Sequence, residues 1–185
     1  TVIPADRFDT HLLKSPALAM RQCEMAVTDI ASNAGKNLSL AIGQLEVYDK
    51  DVKNKIYDRE DYMDELADRC TQYLIELSPN VASDIESENI GDTLQAVSEF
   101  ERIGDLAINI QEISERLVEK KQSFSGGAKK EIEVLEDAVI KIVGLAEKAF
   151  ENMDYDAARD IEPLEEVIDD LVEYSRNMHT KRLKN

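Results

Sequence analysis

Apolar residues recur at spacings of three and four along most of the chain, the period of a helix with one buried face. From Pro16 the series Cys23, Val27, Ile30, Ala34, Leu38, Ala41 and Leu45 predicts one amphipathic helix over about 16–48. Ser15-Pro16 marks its start, because Ser caps helices and Pro suits the first helical position. Gly35 and Gly43 weaken this helix and permit close packing. Asp49-Lys50-Asp51 supplies a break and a cap. A second helix, over 51–77, carries Met63, Leu66, Cys70, Tyr73 and Leu77, and Pro79 ends it because it lacks the N–H that the next turn needs. Ser83 and Glu86 form a capping-box pattern. The helix they open runs to about Lys121, with Phe100, Ile103, Ala107, Ile110 and Leu117 on its apolar face. After a loop at 123–127, a fourth helix over 128–152 carries Ile132, Leu135, Val139, Ile142, Leu145 or Ala146, and Ala149. Asp154-Tyr155-Asp156 breaks it, and a fifth runs to about Arg182 with Pro163 early in it. Residues 1–15 form an irregular lead-in. The class is all-α.

The chain also repeats itself. Shifted by 105 residues, Asp29 to about Leu74 aligns without a gap on the second half. Lys36 falls on Lys141, Leu40-Ala41 on Leu145-Ala146, Glu46 on Glu151, and Ile56 on Ile161. The linking Asp49 and Asp51 fall on Asp154 and Asp156. This predicts tandem three-helix bundles made by duplication. The first unit takes 16–122. The second, 123–185, lacks its third helix in this chain.

Composition narrows the functions. Acidic residues number 39 against 22 basic, a formal charge of −17. Such a chain repels phosphate backbones and anionic membrane surfaces, so nucleic acid is excluded as a partner. Cys23 and Cys70 sit at core-like helical positions with no CxxC, which predicts buried reduced thiols and a reducing compartment. No apolar run approaches the ~20 residues of a membrane span, so this segment is not expected to insert in a membrane. There is no signal peptide pattern. The chain opens on Thr1 rather than Met, as a piece of a larger protein would.

The candidate chemistry lies in three E-x-x-x-D pairs: Glu60/Asp64, Glu101/Asp105 and Glu165/Asp169. Helical residues at i and i+4 share a face, with roughly 5–6 Å between their Cβ atoms. At 100° per residue, Glu101 and Asp105 fall nearly opposite the apolar face, which points them outward. The first and third pairs are aligned copies in the repeat. In an antiparallel bundle the second and third helices are neighbours, which would gather Glu60, Asp64, Glu101 and Asp105 into one oxygen-rich patch. Asn109 and Glu112 extend its stripe. Such a patch suits Mg²⁺, Ca²⁺, Mn²⁺ or Fe. A solvated acidic face is the alternative that spacing leaves open. No Ser/His/Asp set and no Gly-rich phosphate loop is present, and His11 and His179 stand alone, so the chain does not read as an enzyme. A carboxylate-bridged di-iron bundle would require Glu-x-x-His pairs, and none occurs.

Glu101-Arg102-Ile103-Gly104-Asp105, followed by Ala107, Asn109 and Ile110, resembles the E-R-I-G-D-x-A-x-N-I signature of the PhoU proteins. The resemblance covers about 18–183. It implies duplicated, spectrin-like three-helix units whose carboxylate motifs hold multinuclear metal clusters, with Fe, Mn, Zn, Ni or Mg as the candidate ions. It would make Glu60, Asp64, Glu101 and Asp105 one ligand set, and Glu165 and Asp169 half of a second. The lead-in from Arg7-Phe8 through Leu13-Lys14-Ser15-Pro16 looks more like the PhoU-type tail of a bacterial sodium/phosphate cotransporter. That implies a regulatory domain on the cytoplasmic side of the membrane, joined to a transporter domain in the same polypeptide and contacting regulatory proteins. The alternatives are a free-standing phosphate-uptake regulator acting on an ATP-driven transporter and a sensor kinase, and a metal-free helical interaction module. A missing sixth helix would bare apolar surface and favour a homodimer.

Overall fold

The computed structural model describes residues 7–152 and Glu173. It is helical throughout, with no strand among the described residues. A short 3-10 helix, Thr10–Lys14, precedes α1 (Pro16–Gln44). Then come α2 (Lys50–Leu77), a 3-10 turn at Ser78–Asn80, α3 (Asp84–Glu119) and α4 (Gly126–Asn152). The expected fifth helix, with Glu165 and Asp169, lies outside the described residues.

The chain divides into two compact units, Thr1–Ser114 and Glu115–Asn185. The two units part within α3 itself. The physical reason is visible along that helix. Its buried positions run Ile90, Thr93, Val97, Phe100, Gly104, Ala107, Gln111, Ser114 and stop there.

In the first unit α1 is the central element. Ala19, Cys23, Ala26, Val27, Ile30, Ala31, Ala34, Leu38 and Ala41 are buried along it. So many alanines leave short side chains between backbones, and α1 and α2 pack closely. The α2 stripe read from the sequence, Met63, Leu66, Cys70, Tyr73 and Leu77, is buried in full. Both cysteines are fully buried free thiols. Cys70 Sγ lies 3.9 Å from the Cys23 carbonyl oxygen. A hydrogen bond with Cys70, together with burial, pushes the Cys23 thiol up, so it stays protonated.

The helix ends follow local chemistry. Asp49 caps α2, accepting from the N–H groups of Asp51 (2.7 Å) and Val52 (3.1 Å). The Ser83–Glu86 capping box forms: Ser83 Oγ accepts from Glu86 N, and Glu86 Oε2 accepts from Ser83 N, both at 3.2 Å. Those bonds to its charged form hold the Glu86 carboxyl below its usual range. Ser15 differs from its expected role. It makes no side-chain cap bond, and only Pro16 marks the start of α1. That helix also stops at Gln44, short of 48, because the Gln44 side chain turns back to close the loop. Its amide donates to the Asp49 carbonyl (2.8 Å) and to Gln111 Oε1 on α3 (3.1 Å).

From Arg7 onward the lead-in is fastened to the bundle, and Thr10–Lys14 form the 3-10 helix. Arg7 donates to Asp29 (2.8 Å), to the Tyr62 hydroxyl (3.3 Å) and to the Met25 carbonyl (3.2 Å). The Phe8 ring lies 5.4 Å from that of Tyr73, and the Tyr73 hydroxyl donates to the Asp9 carbonyl at 2.7 Å.

In the second unit α3 ends in a left-handed turn at Lys121 (φ 51°). Gln122 N reaches back to the Leu117 carbonyl and Lys121 N to that of Val118, the paired bonds of a Schellman motif. Ser125 Oγ accepts from Ala128 N at 3.2 Å, so α4 begins at Gly126, earlier than the expected 128. Along α4 Val143 is buried, while Ile132, Val139, Ile142, Leu145, Ala146 and Ala149 are half-buried.

Candidate functional site

The α2 and α3 seams decide where the carboxylates go. On α2 the buried positions include Ile56, Glu60, Met63, Ala67, Cys70, Leu74 and Leu77, spaced four and three in strict alternation. Glu60 therefore occupies a seam position, a place ordinarily held by an apolar residue. On α3 the matching seam has Gly104 between Val97 and Gln111. These two positions meet. A Cβ on Gly104 would lie 3.0 Å from Glu60 Oε2, 3.1 Å from Oε1 and 3.1 Å from Met63 Cε. The absent side chain is what makes room for the carboxylate.

The outward orientation read from the sequence for Glu101 and Asp105 does not extend to Glu60. Glu60 is only 9% exposed, while Asp64 and Asp105 are exposed and Glu101 is half-buried. The apolar face of α3 is also relocated. Phe100 and Ala107 are buried as expected, but Ile103, Ile110 and Leu117 are half-buried. The seam passes instead through Gly104, Gln111 and Ser114, which a hydrophobicity count overlooks. Nor is Gly43 a point of close packing, since a Cβ there would meet nothing within 4 Å.

The four carboxylates of the first unit share one electrostatic neighbourhood. Burial, then Asp64, then Asp105, push the Glu60 carboxyl up to about 7. Burial raises Asp64 as well, with Asp105, Asp61 and Asp68 adding to it. Glu101 is raised by burial and by Asp64, Asp68 and Asp105. Asp68, which the sequence reading left out, thus belongs to the same field. Glu60, Asp64 and Glu101 resist ionisation first because they are partly buried and then because carboxylates beside them are charged. Arg102 lies nearby in sequence but turns away, pairing with Glu99 at 3.3 Å on the surface.

Glu60 Oε2 is buried without a hydrogen-bond partner. An orphaned carboxylate oxygen is costly and calls for a proton, a water or a cation. The donor set is all oxygen, the chemistry of a hard cation rather than of a thiolate-seeking one. Among the described residues, however, no three of His, Cys, Asp and Glu stand together closely enough to hold an ion as placed. The set fits a cation in charge and donor type, but not in its spacing as placed.

Comparison with known families matches residues 27–114 to the PhoU domain. The matched stretch is a little under half of the chain. All four carboxylates, and Gly104 with them, fall inside the matched stretch. A relative from Thermotoga maritima, described as a phosphate-specific transport system accessory protein PhoU homolog, is 28% identical over 153 residues. That match takes in 80% of this chain and 64% of the relative, so the chain spans a little under two thirds of that protein's length. No solved structure gives a significant match. No helix among the described residues is long and apolar enough to cross a membrane.

Proposed function

We propose that this chain is a regulatory accessory domain in phosphate transport, acting through protein contacts, with a cation-binding carboxylate site on α2 and α3. The observation that carries the reading is the match to the PhoU domain at 27–114; within it Glu60 has an unpartnered buried oxygen and feels the charges of Asp64 and Asp105. The relative's description as a transport accessory protein supports the same role. A bound cation would supply positive charge to carboxylates that repel one another, bracing α2 against α3. Glu60 would offer its free Oε2, while Asp64, Glu101 and Asp105 would complete the donor set from the exposed side. The aligned pair Glu165/Asp169 would form part of a second site.

The finer reading attaches the domain to a sodium-dependent phosphate symporter on the cytoplasmic side of the membrane. Its support is the lead-in, which is anchored on α1 and α2 from Arg7 onward. In-frame hydrophobic spans of about 20 residues upstream of Thr1 would bear this out. Their absence would return the domain to the free-standing class.

The role is tested by removing the coding segment for this chain and measuring phosphate uptake in phosphate-replete cells. Altered uptake, restored by the parent chain, is expected, and unaltered uptake would count against a transport role. The site is tested by titrating Mn²⁺ into the purified chain and into a Glu101→Ala/Asp105→Ala variant. Saturable binding in the parent, lost in a variant that keeps its helical circular dichroism, is expected. No binding by the parent at millimolar Mn²⁺ would overturn the site.

A further inference from the structure

The lead-in lies on α1 and α2 as a bound peptide would. Arg7, Phe8 and Asp9 are each met by side chains whose chemistry suits that one residue, and those side chains come from far along the chain. On α2, Tyr62, Arg69 and Tyr73 are seven and four residues apart, so they share one stripe. On α1, Gln22 and Asp29 are seven apart and share another. The Tyr62 hydroxyl donates to Asp29 Oδ2 at 2.6 Å, and Cys70 meets the carbonyl of Cys23. The two helices therefore run antiparallel, and their stripes border one groove.

Arginine, rather than any cation, fits the first position. Asp29 is held in place by the helices themselves: Asn33 Nδ2 donates to its Oδ1 at 2.8 Å, and Tyr62 to its Oδ2. Arg7 then puts two nitrogens on separate acceptors, Nη1 on Asp29 Oδ2 and Nη2 on the Met25 carbonyl. A planar guanidinium fork spans two such acceptors, whereas a lysine ammonium meets them as a single point charge. An aromatic ring fits the second position. Phe8 has the Tyr73 ring tilted against it, and the Arg69 guanidinium lies 5.7 Å from its centroid, the neighbours that a ring's edge and face attract. At the third position the backbone itself is held. Asp9 is extended (φ −75°, ψ 111°). Its N–H donates to Gln22 Oε1 at 3.2 Å, and its carbonyl accepts from the Tyr73 hydroxyl. Main-chain bonds that hold a segment, beside side-chain contacts that choose it, are the division of roles in peptide recognition.

We propose that the α1–α2 groove lined by Gln22, Asp29, Tyr62, Arg69 and Tyr73 is a recognition site for an extended arginine-aromatic segment, and that Arg7-Phe8-Asp9 is its resident, exchangeable occupant. A partner segment of the same chemistry displaces it and frees the lead-in. The groove would give the regulatory reading above a definite kind of protein contact, and it rests on that reading only for its biological use. Binding itself stands apart from the cation site, which shares none of these side chains.

The probe is a synthetic peptide of residues 7–14, acetylated at Arg7 and labelled through Lys14, titrated into the full chain and followed by fluorescence anisotropy. A resident segment at an effective concentration of about 1 mM competes about tenfold against a peptide of about 0.1 mM affinity. Peptide affinity is therefore expected to be lowest in the parent, higher in Arg7→Lys, and about tenfold above the parent in Arg7→Ala/Phe8→Ala. Adding Asp29→Asn to that double variant, or placing Arg7→Lys in the peptide, should weaken binding several-fold. In the parent, amide exchange at Asp9, followed by NMR, should quicken when millimolar peptide is added. The proposal is overturned if neither variant binds the peptide more tightly than the parent, if the Lys-bearing peptide binds as well as the Arg-bearing one, or if the Asp9 exchange rate ignores the peptide. Should the double variant lose its helical circular dichroism, the milder Arg7→Lys and the Asp9 exchange rate decide by the same criteria.

Discussion

Gly104→Ala is the sharpest perturbation of this bundle, because two opposing effects can be sized and their balance has a definite sign. In a helix interior, Ala is favoured over Gly by about 0.5–1 kcal/mol through backbone entropy and propensity. Gly91, on the same helix, shows the pure effect: a Cβ there meets nothing within 4 Å. At Gly104 the new methyl arrives 3.0 and 3.1 Å from the two Glu60 oxygens and 3.1 Å from Met63 Cε. The Met63 methyl can rotate away. Glu60 has little room to follow, because it is only 9% exposed. Either α3 lifts by a few tenths of an ångström or the buried Glu60 carboxylate is displaced, and overpacking of this kind costs typically about 1–3 kcal/mol. Gly104→Ala should therefore fall about 2 kcal/mol below Gly91→Ala in stability, taking the middle of both ranges. With a urea slope of about 2 kcal/mol/M, the two unfolding midpoints should separate by about 1 M. Both residues lie in the first unit, so the same transition reports both. Adding Glu60→Ala should rescue Gly104→Ala, a favourable coupling of about 1 kcal/mol in a double-mutant cycle. If Gly104→Ala unfolds alongside Gly91→Ala, the close approach of α3 to Glu60 is wrong and the site loses its frame.

Two further outcomes are expected. With the Glu60 carboxyl raised to about 7 in the folded chain against an ordinary carboxylate in the unfolded one, the folded state binds the proton more tightly. Its stability should therefore fall as pH rises from about 4.5 through 7 and then level, by about 3 kcal/mol in all. Glu60→Gln should remove that part of the fall when both proteins are unfolded in urea at pH 5 and pH 8 with a chelator present, and parallel curves for the two would refute it. Lys121, held at φ 51°, pays roughly 1–2 kcal/mol for its left-handed conformation, against roughly 0.5–1 kcal/mol of extra chain entropy that Gly would bring. Lys121→Gly should thus slow amide exchange in the last turn of α3 by a few-fold, corresponding to about 0.5–1 kcal/mol, and faster exchange would contradict the Schellman assignment.

Much of the frame is written in short-range patterns. Asp49, Ser83 with Glu86, and the stripe from Met63 to Leu77 behave as their residue types dictate, since capping and burial of apolar periods are local effects. The interior of the site is not local. Extending the α2 stripe toward its start, through Met63 to Glu60 and Ile56, would have placed a glutamate on the seam, but a hydrophobic criterion stops at the first charge. Gly104 reads in sequence as a helix weakness, and only the facing carboxylate gives it a purpose. The early stop of α1 escapes notice for a related reason, because the Gln44 side chain ties it to Asp49 and to Gln111, a residue far along the chain.

The fastening of the lead-in has a mechanical consequence. Arg7 grips Asp29 on α1 and Tyr62 on α2, and Phe8 and Asp9 meet Tyr73 one residue later. A pull applied at Arg7 is therefore not absorbed by slack before α1. It loads two helices at once, across their length rather than along one end, so the bundle would follow such a pull as a rigid lever.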